Sequence, residues 1–180
     1  LEKCSMNREV IVSSGKIARD LSDAEVKEIE HELTLYPDKK AVGLEALKIV
    51  QRHNGWVSDE SMLAVSKYLD IALSELEGVA TFFNLIYRRP VGKNVILFCD
   101  SVSCWIMGCE KIRKEINSHL GIDYGETTED GEYTLIPVPC LGDCDKAPVM
   151  LVGEKMHRNL TVDSIKSLSS SRETQNKSGE

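Results

Sequence analysis

The first half of the chain carries apolar side chains at helical spacing. Val26, Ile29, Leu33 and Tyr36 recur behind Ser22-Asp-Ala-Glu25, a serine–glutamate capping box, and Pro37 ends the run. Residues 41–53 repeat the pattern, with Leu44, Leu47 and Val50 on one face, Ala46 and Ile49 beside them, and Asn54-Gly55 closing it. A third helix is predicted over 59–69, with Met62, Val65 and Leu69 in register. A second capping box, Ser74-Glu-Leu-Glu77, predicts a fourth helix running toward Phe82 and Phe83. These stripes read as the packing faces of a helical bundle over 21–90.

Arg88–Lys93 contains Pro90 and Gly92 and reads as a connector, after which the pattern changes. Asn94–Cys99 is a short apolar run, as expected for a buried strand, and it ends at a cysteine. Residues 106–119 read as a helix and Gly121–Gly131 as a turn-rich link. Strands are predicted over Thr134–Val138 and Val149–Val152, with Met156–Arg158 as a short partner, and Thr161 caps a last helix through Leu168. The order strand, helix, strand, strand, helix predicts a small α/β layer over 91–168, so the fold class is α+β / α/β. Residues 1–20 read as a flexible segment and the Ser-rich stretch 169–180 as a disordered tail.

Composition narrows the function classes. Of 180 residues, 42% are apolar and 28% charged, as in a soluble globular protein. The net charge of −7 argues against nucleic acid and against an anionic membrane surface. No apolar run approaches the length of a membrane span, and residues 1–20 lack the apolar stretch of a secretory signal. There is no G-x-G-x-x-G and no P-loop, hence no nucleotide motif in the chain itself. His31, His53, His119 and His157 include no pair at metal-ligand spacing and read as solvated or capping residues.

The chemistry lies in the cysteines. Cys99-Asp-Ser-Val-Ser-Cys104 and Cys140-Leu-Gly-Asp-Cys144 form C-x4-C and C-x3-C pairs separated by 35 residues. Four soft, anionic thiolates able to converge suit an iron–sulfur cluster, and by spacing alone they also suit a structural zinc ion. A thioredoxin-type C-x-x-C is absent, as is the C-x4-C-x2-C of plant-type ferredoxins. Gly142 offers the positive φ that lets backbone approach a cluster, and Pro139 and Pro148 bracket the second pair. Both pairs are expected in loops at strand ends. Asp100, Asp143 and Asp145 stand beside the cysteines and should disfavour added negative charge, with Lys146 as a partial offset. Cys109 shares a helical register with Ile112 and Ile116 and reads as a buried structural cysteine; Cys4 reads as incidental.

These cysteine motifs, together with Glu77-Gly-Val-Ala-Thr-Phe-Phe83, Gly55-Trp56-Val57 and Gly125-Glu-Thr-Thr128, resemble one family. It is the E subunits of the proton-pumping NADH–quinone oxidoreductase, the thioredoxin-like [2Fe–2S] component of bacterial complex I. The resemblance runs from about residue 22 to about residue 168. It implies an N-terminal helical bundle followed by a thioredoxin-like [2Fe–2S] ferredoxin domain, with Cys99, Cys104, Cys140 and Cys144 as cluster ligands. It also implies a partner, the flavoprotein of the same complex, which carries FMN and NADH, with the helical half as part of the grip. The expected location is cytoplasmic, peripheral to the inner membrane as part of a complex. Relatives often place His after the second cysteine; here it is Trp105, read as a packing or interface aromatic. Trp56 reads as core. Two alternatives are a diaphorase subunit of an NAD-dependent formate dehydrogenase or hydrogenase, and a zinc-stabilised interaction module without redox function.

Overall fold

In the computed structural model, which describes residues 19–166, the chain divides after Pro90 into two units. Cys4, nearly all of the expected flexible segment 1–20, and the expected tail 169–180 lie outside the described residues.

The first unit is helical. Its helices are α1 (Asp23–Leu35), α2 (Gly43–Asn54), α3 (Asp59–Leu69) and α4 (Leu73–Phe82), with a 3-10 turn, Lys39–Val42, ahead of α2. Ile29, Leu47, Val50, Met62, Val65, Leu69 and Leu76 are buried together, so the predicted stripes of α2 and α3 form the core, whereas of the α1 stripe Ile29 is buried, Leu33 packs against the core and Tyr36 is exposed beyond the helix end. The α1 capping box is complete: Ser22 Oγ accepts from the Glu25 N–H at 3.3 Å, and the Ser22 N–H donates to Glu25 Oε2 at 2.8 Å. Glu25 is also buried, which its place in a capping box does not predict. Its carboxylate accepts from Asn54 Nδ2 at 2.8 Å and pairs with Arg19. Burial alone would raise its pKa. The Ser22 N–H, the Asn54 amide, the Ser22 hydroxyl and Arg19 outweigh that and hold it below the ordinary value.

One expectation fails at α4. Ser74 does not cap it: the helix starts at Leu73 behind Ala72, whose carbonyl accepts from the Glu75 and Leu76 N–H groups. Asp70 takes a left-handed conformation as it ends α3, and Ile71 is buried, so the chain turns directly into α4 and leaves Ser74 inside the first turn. The helix does run to Phe82, as predicted, and neither Phe82 nor Phe83 joins the buried core. They stack edge to face, with ring centroids 5.1 Å apart, and Phe82 is 81% exposed.

The second unit holds β1 (Asn94–Cys99), α5 (Val102–Ile106), α6 (Cys109–Leu120), β2 (Tyr133–Val138), β3 (Met150–Val152) and β4 (Lys155–His157). Residues 162–166 are helical, and Thr161 Oγ1 accepts from the Ser164 N–H at their start. The sheet order is β2-β1-β3-β4. β1 and β2 run parallel; β3 is antiparallel to β1, and β4 to β3. Central β1 is buried from Ile96 to Cys99, which is why it reads as an unbroken apolar run. β2 lies at an edge, where Pro137 is tolerated. The predicted helix over 106–119 is interrupted: Gly108 at φ 87° separates α5 from α6. Gly92 approaches the start of β2 so closely that an added Cβ would sit 2.9 Å from backbone atoms of Gly131 and Tyr133, while its N–H donates to Thr134 Oγ1 at 2.6 Å.

Gly92→Ala is therefore expected to destabilise the protein by about 1–3 kcal/mol, measured as a lowered urea midpoint. Glu25 supplies an acid dependence. Its folded pKa is depressed, so its contribution is complete above the unfolded glutamate value of about 4.3 and is lost as pH falls through the folded value. Glu25→Gln should cost about 1–3 kcal/mol at neutral pH and flatten the loss of stability seen on acidification below that unfolded value.

Candidate functional site

Parallel pairing sets the geometry of the site. Cys99, the last residue of β1, pairs with Val138, the last residue of β2, so the chain leaves both strands at the same sheet edge. The segment 139–149 then arches from the end of β2 to the start of β3. It crosses the end of β1, where the Cys99 N–H donates to the Val149 carbonyl at 3.3 Å. Cys140 and Cys144 lie on this arch. Of the four thiols expected in loops, Cys99 instead ends β1, Cys104 lies on α5 and Cys144 opens a 3-10 turn, Cys144–Lys146, which leaves Cys140 in irregular backbone.

The four thiols form two pairs at the same end of the sheet. Cys140 Sγ and Cys144 Sγ are 3.7 Å apart. The Cys99 and Cys104 thiols are in hydrogen-bond contact. The pairs interlock, since the Leu141 N–H donates to Cys99 Sγ and the Cys144 thiol contacts the Ser103 hydroxyl. More backbone donors face the sulfurs: the Gly142 N–H reaches Cys140 Sγ at 3.3 Å, and the Val149 N–H reaches Cys104. Gly142 has φ 80°, the positive value its place in the motif predicts. Cys99 and Cys104 are buried, whereas Cys140 and Cys144 are exposed, so the site is walled by the core on one side and open on the other.

The thiols are electrostatically unequal. Burial raises the Cys99 pKa, but the Ser101 hydroxyl and N–H, the Cys104 thiol and the Leu141 N–H outweigh it and leave the pKa below the usual thiol value. Burial and the neighbouring Cys99 push Cys104 up to about 11. Contact with Cys140 raises Cys144. With raised pKa values Cys104 and Cys144 rest protonated, and a metal that binds them as thiolates must displace their protons.

The thiols are grouped as two pairs, and among the described residues no three or more His, Cys, Asp or Glu side chains form one group. A [2Fe–2S] core asks for two protein ligands at each iron, which is the pairwise arrangement seen here. Two sulfurs bound to one tetrahedral metal at ~2.3 Å lie about 3.8 Å apart, close to the Cys140–Cys144 separation.

Three other sequence readings resolve here. Cys109 is buried at the start of α6 within the core, and burial, Glu110 and Asp100 raise its thiol pKa. Asp143 and Asp145 are not free charges, since Asp143 pairs with Arg158 and Asp145 with Lys146 at 2.9 Å. Sequence reasoning misses Arg158, because it lies 15 residues from its partner and only the β3–β4 turn brings it back. Trp105 does not pack inside: it is exposed with Val102, Ile106 and Met107 along and just beyond α5. Trp56, in the first unit, is half-buried.

The thioredoxin-like [2Fe-2S] ferredoxin family model matches residues 29–172. The E subunit of NADH-quinone oxidoreductase from Escherichia coli strain K12 is 48% identical over 151 residues, covering 84% of this chain and 91% of that one. Its counterpart in Pseudomonas aeruginosa is 47% identical over 148 residues, covering 82% of this chain and 89% of that one. That of Buchnera aphidicola from Acyrthosiphon pisum is 46% identical, covering 82% and 91%. Among solved structures, the NAD+-reducing [NiFe]-hydrogenase in its air-oxidised state aligns with a TM-score of 0.63 at 20% identity. That alignment covers 74% of this chain but only 23% of the hydrogenase chain, and it bears on the fold alone. The chain belongs to the thioredoxin-like [2Fe–2S] ferredoxin family, within the line of the NADH-quinone oxidoreductase E subunits.

Proposed function

We propose that Cys99, Cys104, Cys140 and Cys144 hold the [2Fe–2S] cluster of this subunit. The interlocked thiol pairs at one sheet edge carry this reading. The chain is an electron-transfer subunit of an NADH:quinone oxidoreductase, and FMN and NADH belong to a partner flavoprotein within the complex. A flavin takes two electrons from a hydride donor, whereas a [2Fe–2S] centre exchanges one at a time. The residues of this chain hold and orient the centre: backbone N–H groups point at its ligands, the β1 end and α5 bury one side, and the arch leaves the other open. A diaphorase role in a hydrogenase would keep this chemistry; the near full-length relatives at 46–48% identity favour the quinone reductase.

The partner's approach is proposed from the surface. Val102, Trp105, Ile106 and Met107 are each 61–69% exposed and flank Cys104. A concentration of exposed apolar side chains beside a redox site fits a partner interface. We assign this face to the flavoprotein, and place the chain at the cytoplasmic side of the membrane within the complex. No helix among the described residues is long and apolar enough to cross a membrane.

Protein purified anaerobically with its partners should contain about two irons and two acid-labile sulfides per chain, with a rhombic EPR signal on reduction. Ala in place of any of the four cysteines should remove this signature, whereas Cys109→Ala should retain it. Zinc without iron, or loss of the cluster in Cys109→Ala alone, would reject the assignment. Trp105→Glu combined with Ile106→Glu should weaken binding to the flavoprotein about tenfold or more while leaving iron content unchanged, measured by titration of the two purified subunits.

A further inference from the structure

The segment that follows β4 stitches down the second cysteine arch. The Arg158 guanidinium pairs with Asp143, the residue before Cys144. The Asn159 N–H donates to the Lys146 carbonyl at 2.8 Å, and the Leu160 N–H donates to the Pro148 carbonyl at 3.0 Å. Asn159 takes a left-handed conformation at φ 47°, which turns the strap, and buried Leu160 anchors its far end in the core. Three successive residues thus hold three points of the arch, at 143, 146 and 148. The backbone bonds of the strap hold the later part of the arch, and its Arg158 side chain reaches the part between the two cysteines.

We propose that Arg158 is a positioning residue for the redox centre: through Asp143 it holds the Cys140–Cys144 loop in its ligating shape, and its positive charge offsets the carboxylate beside Cys144. An exposed ion pair of this kind adds little to global stability, since Arg158 is 52% exposed. Its effect is local. Reduction adds one negative charge to the centre, so a cation fixed at the loop favours the reduced form and an uncompensated carboxylate opposes it.

The proposal rests on the ligand assignment above, and the experiment separates the two. Wild type, Arg158→Gln, Arg158→Lys and Asp143→Asn are prepared as the assembled complex. The midpoint of this chain's cluster is titrated by EPR, and iron release to a chelator is followed by the loss of visible absorbance. Arg158→Gln should lower the midpoint by an amount equal to about a threefold change in the one-electron equilibrium, ~28 mV at about 59 mV per decade. It should also speed iron release several-fold. Arg158→Lys should restore most of the midpoint but not the release rate, because an ammonium keeps the charge without the planar fork. Asp143→Asn should raise the midpoint while speeding release. An unchanged midpoint in Arg158→Gln overturns the proposal. If that variant does not retain its cluster, an unchanged or lowered midpoint in Asp143→Asn overturns it instead. Absence of the cluster signal from wild type would refute the ligand assignment itself.

Discussion

Parallel pairing between β1 and β2 is the constraint from which the site follows. Parallel strands end at the same sheet edge, so Cys99 and the approach to Cys140 emerge side by side although 40 residues separate them. The two strands need a crossover, and α5 and α6 supply it, placing Cys104 on the first helical turns after β1. Because β3 lies on the opposite side of β1 from β2, the connection between them must pass over the end of β1. Thus the sheet order itself carries Cys140 and Cys144 across Cys99. An antiparallel β1–β2 pair would send the two motifs to opposite edges.

Four thiolates close together would repel one another, and the fold lowers this repulsion by aiming dipoles at the sulfurs. N–H groups of Leu141, Gly142 and Val149 face three of the sulfurs, and the hydroxyl and N–H of Ser101 both lie against Cys99, whose thiol donates to the hydroxyl oxygen at 3.4 Å. Such donors stabilise charge on sulfur without adding a competing ligand. The site is built asymmetrically. Its Cys99–Cys104 side belongs to the hydrophobic core, continuous with Cys109, Ile112 and Ile116, while its Cys140–Cys144 side is open. This arrangement suits a centre that must be rigidly held and still lie close to an electron donor in another subunit.

The charges around the open side are also organised in pairs. Read along the chain, Asp143 and Asp145 flank Cys144 as two negative charges. In the fold each has a cation, one from the next residue and one from the strap after β4. The charge beside Cys144 is thus balanced in part by Arg158, a residue outside both cysteine motifs.

Much was legible along the chain, for identifiable reasons. α3 and β1 fall on the predicted residues, because an amphipathic stripe bounded by a serine cap and a fully buried central strand each leave a pattern of their own period. The burial of Cys109 follows from its register with Ile112 and Ile116. Gly108 escapes notice because a single glycine costs a helix only about 1 kcal/mol, too little to mark a break when an apolar register continues beyond it. Ser74 misleads because a capping motif becomes a cap only where the preceding backbone is extended, and the turn at Asp70 and Ile71 decides otherwise. By itself the sequence determined most of the elements and which side chains are the candidate ligands, since periodicity and side-chain type are local properties. Only the tertiary structure decided that two distant cysteine pairs interlock, that Trp105 faces outward, and that Arg158 returns to Asp143. Those outcomes depend on strand order and on the path of loops, which no stretch of neighbouring residues encodes.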